Sequence, residues 1–154
     1  MLTKKIIHGV FGGLIGGLIF GAMMAKMGML PMIGKMVGVP SAGVGFLVHL
    51  LNSAIIGAGF GIVFHRFSTS IGRGLSSGLL YGGAWWILGP LTLMPLFMGM
   101  GLGVNWNAAA AAKMFPSLIG HLVYGAMLGT TYGWLQARFL YQRRAQAVAA
   151  AKLT

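Results

Sequence analysis

The stretch FLVHLLNSAIIGAGFGIVFHRF, residues 46–67, returns in altered form as LIGHLVYGAMLGTTYGWLQARF, residues 118–139. At an offset of 72, seven of 22 positions coincide: His49 with His121, Leu50 with Leu122, Ala54 with Ala126, Gly57 with Gly129, Gly61 with Gly133, Arg66 with Arg138 and Phe67 with Phe139. Each copy is an apolar run of about 20 residues, the length a helix needs to cross the hydrocarbon core. The coincidences fall on His, Gly and Arg, so shared apolar composition does not explain them. A repeat of this kind sets the architecture before any local reading does.

The match extends towards the N-terminus. At an offset of 65, Gly9, Gly13 and Gly17 fall on Gly74, Gly78 and Gly82. Both segments lead into Met- and Pro-containing stretches, Met29-Leu-Pro-Met32 and Leu93-Met-Pro-Leu96. The chain therefore reads as one all-α integral membrane domain, residues 1–154, of four transmembrane helices in two tandem two-helix repeats, about 6–67 and 71–139. A basic, Ala-rich tail, residues 140–154, follows. Each repeat crosses the bilayer an even number of times, which implies a pseudo-twofold axis along the membrane normal.

The expected spans are Ile6–Ala25, Val44–Phe64, a third starting near Leu75, and Pro116–Ala137. The third runs only about 15 residues before Gly89-Pro90, short of the roughly 20 required. Either it kinks and continues to about Met100, or it stops and the next apolar segment lies in the interface. The first span also has the n-region and h-region of a signal peptide. Its Ala22-Met-Met-Ala25 end lacks a small-residue cleavage pair, and its repeat mate lies inside the chain, so it reads as retained.

Composition sharpens the class. The 154 residues hold no Asp or Glu, 11 Lys and Arg, a formal charge of +11 and 57% hydrophobic residues. A pI of 11.2 alone would suggest nucleic acid, but a mean hydropathy of +0.85 calls for lipid as solvent, and no nucleic-acid partner is expected. With the N-terminus inside, Lys4, Lys5, Arg66, Arg73, Arg138, Arg143, Arg144 and Lys152 face the cytoplasm, against Lys26, Lys35 and Lys113 outside. The positive-inside rule then places both termini in the cytoplasm, with the basic groups on anionic headgroups. Without carboxylates or cysteines there is no acidic general base, hard-metal ligand or thiolate, and the chain is read as non-enzymatic.

Small residues four apart, as in Gly9-Gly13-Gly17-Gly21, His49-Ser53-Gly57-Gly61 and His121-Gly125-Gly129-Gly133, form glycine zippers that let helix backbones approach closely. The candidate site lies where two of these rows begin. His49 and His121 are ionisable groups inside spans, hence functional candidates by default, and they are repeat mates. Two facing imidazoles suit one haem iron, or one copper or zinc, and a single imidazole could instead hold a chlorin magnesium. Ser53, Gly57, Gly125 and Gly129 would then supply clearance. The bland alternative is that each imidazole bonds a backbone group of the next helix. Ten of the 12 Met gather in two outer segments, and Met32, Met36, Met94 and Met98 with the His pair form a candidate Cu(I) ligand set. Their bland role is flexible packing beside glycine.

The stretch Gly120-His-Leu-Val-Tyr-Gly-Ala-Met-Leu-Gly-Thr-Thr-Tyr-Gly133 resembles the His-Leu-x-Tyr-Gly-x-x-x-Gly-x-x-Tyr-Gly pattern of YagU-like small bacterial inner-membrane proteins. That resemblance implies a four-span membrane protein and no particular activity. Three functions fit the residues. The first is a non-catalytic membrane subunit binding haem b, a chlorin or copper through the His pair. The second is a small channel or transporter for Cu(I), an anion or a neutral solute. The third is a structural subunit packed against other membrane subunits or a copy of itself.

Overall fold

The computed structural model describes residues 2–152. Every regular element among them is helical: α1 (Leu2–Lys26), α2 (Leu30–Lys35), α3 (Ala42–Val63), α4 (Ile71–Leu88), a π-helical turn (Gly89–Leu93), α5 (Met94–Phe97), α6 (Ala108–Lys113) and α7 (Phe115–Ala151). Three helical stretches are long and apolar enough to cross a membrane: α1, α3 and the continuous run Ile71–Phe97. The 37-residue α7 is longer, but Gly, Ser, Thr, Tyr and His fill its middle, so it is less apolar. The tail is not separate from it, because helix continues to Ala151.

The undecided third segment continues through its proline. Pro90 has no N–H and its ring collides with the carbonyl a turn earlier, which breaks an ordinary α-turn. A π turn widens the helix there, the Met94 N–H bonds Gly89 O, and the Thr92 hydroxyl donates to Ile87 O at 2.7 Å. These bonds re-satisfy backbone groups that lipid could not.

The order of helices follows from how many glycine faces each one has. α1 has two, about 100° apart around the helix. Gly9, Gly13 and Gly17 lie against Gly57 and Ser53 of α3, while Gly12 and Gly16 receive the α7 carbonyls of Leu128 and Tyr124, which lie 2.8 and 2.7 Å from where a Cβ would stand. α7 also has two faces. Gly125, Gly129 and Gly133 meet Gly78, Gly74 and the Ser70 carbonyl at the α4 side, and Gly120 makes room for the Phe20 ring of α1. α3 and α4 have one such face each. The resulting order is α3–α1–α7–α4, with neighbours antiparallel and with both described ends of the chain at one end of the bundle.

α3 and α4 meet through side chains instead. Where α1 carries Gly12 and Gly16, the positions 65 residues on are Ser77 and Tyr81. Tyr81 is too large for backbone approach. Its hydroxyl donates to Ile56 O at 2.9 Å, and its ring stands edge-on to Phe60 and Phe64 at 5.3 and 5.6 Å. The core lies beside this wedge: Phe60, Leu128 and Tyr132 are each 0% exposed. The buried phenols keep their hydroxyls on backbone, Tyr124 on Ser53 O at 2.8 Å and Tyr132 on Gly61 O at 3.3 Å. Outward-facing Leu47, Leu51 and Ile55 repeat every four residues along α3 and form an exposed apolar stripe.

A candidate ligand cavity around two histidines

At the end of the bundle away from the termini, the Tyr81 wedge stops and the helices enclose a cavity of about 310 Å³. That is within the usual size range of small-ligand sites, roughly 300–1,000 Å³. α3 and α7 deliver His49 and His121 to its wall, and the two Met-rich segments fold over it. Gly28, at φ +65°, turns the chain out of α1 so that α2 lies back on α3, burying Leu30 against Gly45. This brings Met32 and Met36 to the cavity from one side, while the π turn brings Met94 from the other. Met98 is exposed and does not line it.

The hydrogen bonds fix the histidine tautomers. His49 Nε2 lies 3.0 Å from Gly17 O, and His121 Nδ1 lies 2.8 Å from Ser117 O. A carbonyl only accepts, so in the neutral ring the facing nitrogen carries the hydrogen. The lone pairs are therefore on opposite atoms, Nδ1 of His49 and Nε2 of His121. Neither has a protein partner among the described residues, and neither is a sealed atom, unlike His8 Nδ1 and Ser68 Oγ. Ser53 supports the arrangement, donating to His49 O at 2.7 Å while its own carbonyl accepts from Tyr124.

The two imidazoles do not face each other across an open slot. The Phe20 ring lies against both, at 5.3 Å and 88° from His49 and at 4.9 Å and 65° from His121. The glycines expected to give clearance are spent on helix contact: Gly57 on Gly9, Gly125 on Gly78 and Gly129 on Gly74. None of them lines the cavity. The wall beside the two imidazoles is thus made of aromatic and thioether side chains and not of these glycines.

Several participants left no sequence signal. Phe20 reads as an ordinary apolar residue until Gly120 is seen to receive it, and Trp85, Met24 and Met114 join the wall only through the fold. Of the other two histidines, His65 accepts from Lys5 Nζ at 2.7 Å and donates to Ile62 O, while His8 keeps one ring nitrogen buried. Comparison with protein-family models, curated proteins and solved structures finds no match to this chain.

Proposed function

We propose that this is a four-span protein of a bacterial inner membrane, with α7 as the fourth crossing and both termini cytoplasmic, and that its histidine cavity binds Cu(I) without catalysing a reaction. The repeated pairing of glycines supports the pseudo-twofold reading: Gly9 with Gly57 and Gly74 with Gly129 are related by the same offsets, 65 and 72, that relate the sequences. The low apolarity of α7 is in keeping with its central place, since helix neighbours rather than lipid cover two of its faces.

One observation carries the ligand reading: both imidazoles line a cavity bordered by thioethers, and each spends one ring N–H on a backbone carbonyl, which leaves its other nitrogen without a protein partner among the described residues. Metal-bound histidines are commonly held this way, with the second nitrogen tied to a carbonyl that fixes ring and tautomer. Among the described residues no three His, Cys, Asp or Glu side chains cluster, so the soft donors beside the two imidazoles on the cavity wall are methionines. Imidazole with thioether is a set for a soft ion, and Met sulfur selects Cu(I). Phe60, Leu128 and Tyr132 fill the bundle on the termini side, which favours a closed binding site over an open pore.

The test is an anaerobic Cu(I) titration of the purified protein against a chromophoric Cu(I) chelator. The wild type should withhold one equivalent, and the His49→Ala/His121→Ala form none. Met94→Leu should weaken retention and Met98→Leu leave it unchanged. Equal surrender of copper by the wild type and a folded double variant would overturn the reading.

A further inference from the structure

A second concavity lies at the opposite end of the bundle, where the start of α1 crosses the emerging part of α7. This groove, of about 390 Å³, has Lys4, His8, Arg138 and Gln142 on its polar side and Ile7, Leu135 and Phe139 on its apolar side. Among the described residues its cations have no anionic or hydrogen-bonding partner. Lys4 Nζ rests over the Phe139 ring at 4.4 Å, Arg143 approaches the same ring at 5.8 Å, and Arg138 stacks on Trp134 at 5.0 Å. Other basic groups nearby are engaged: Lys5 donates to His65 and Arg73 to Thr69. The chain has no Asp or Glu, so no acidic side chain of its own can neutralise the groove.

We infer that this groove binds the phosphate of an anionic phospholipid, with Lys4 and Arg138 on the headgroup and an acyl chain beside Ile7 and Leu135. Three features point to lipid over a free anion. The groove lies at the end of α1, a membrane-spanning helix, at the level where headgroups sit. Ile7 is 56% and Phe11 51% exposed, one helical turn apart, which continues the apolar side of the groove towards the bilayer interior. A guanidinium presents a planar fork of N–H donors that matches phosphate oxygens bidentately, and that of Arg138 has a ring on one face and no acceptor. The inference does not depend on what the histidine cavity holds.

Lipid retention by the protein in nanodiscs of mixed phosphatidylglycerol and phosphatidylcholine, read by native mass spectrometry, tests it. The wild type should retain phosphatidylglycerol in preference. At about 1 kcal/mol per basic residue beside an anionic lipid and tenfold per 1.4 kcal/mol, Lys4→Gln/Arg138→Gln should lose roughly 30-fold in that preference. Arg138→Lys, which keeps the charge and removes the fork, should lose part of it, and it reports on the site if the double variant does not fold. Lys26→Gln/Lys113→Gln removes as much charge from the other end and should change nothing. Equal retention of the two lipids, an equal loss in the control pair, or displacement of the lipid by millimolar inorganic phosphate would overturn the assignment.

Discussion

Adding one methyl group to Gly129 tests whether glycine contact holds the bundle. The new Cβ would fall on the Gly74 carbonyl oxygen, with Gly78 Cα at 2.8 Å and Gly74 C at 2.9 Å. Carbon atoms sit comfortably at about 3.5–4.0 Å, so α4 and α7 must part by about 1 Å. A gap of that size removes about a quarter to a half of the attraction of each neighbouring atom pair. Overpacking of this kind costs about 1–3 kcal/mol. Replacing Gly by Ala in a helix also gains about 0.8–1.0 kcal/mol of propensity. Gly83→Ala isolates the first effect from the second, because a Cβ there meets nothing within 4 Å. Gly83→Ala should stabilise the protein, and Gly129→Ala should lie below it by the full overpacking cost, about 1–3 kcal/mol. SDS titration in mixed micelles, followed by circular dichroism, measures both. Equal stability of the two variants would refute the argument. So would a Gly129→Ala form that loses a bound ligand while its ligand-free stability matches Gly83→Ala, since the glycine would then be clearing space for that ligand.

Further outcomes follow from the other contacts. Tyr81→Phe removes the bond to Ile56 O and keeps the ring wedge, so it should cost about 0.5–1.5 kcal/mol in the same titration. Truncation after Ala145 removes helix that is exposed throughout and should leave the unfolding midpoint within about 0.5 kcal/mol of wild type.

The readable parts of this fold are those that depend on local pattern. The apolar runs of α1 and α3 announce themselves by length, and the glycine rows at four-residue spacing mark their contact faces. The second row of α1, Gly12 and Gly16, is just as visible, yet its meaning depends on counting faces per helix: two rows require two close neighbours. The fate of the segment after Pro90 was not readable, because proline both ends helices and kinks them, and the choice rests on the π turn and the Thr92 hydroxyl. At the site, the repeat placed His49 and His121 on one cavity. It gave no hint that Phe20 would lie against both rings, because that depends on a depth match between Phe20 and Gly120 on different helices. The glycines Gly57, Gly125 and Gly129 show a related limit: spacing shows that a face is small but not what occupies it, and here glycines of the neighbouring helices do.

The Tyr81 wedge has a mechanical consequence. Three seams of the bundle are backbone against backbone, and the fourth, between α3 and α4, is made by aromatic side chains and the Tyr81 hydroxyl bond to Ile56 O. In cross-section the protein is a split ring with its clasp at one level and its gap at the level of the histidines. Rings that turn about their bonds yield at far lower cost than interlocked backbones. The gap is therefore the compliant side of the molecule. A solute that reached the cavity would have its softest route of entry sideways through that gap, past residues that can move without disturbing a glycine contact.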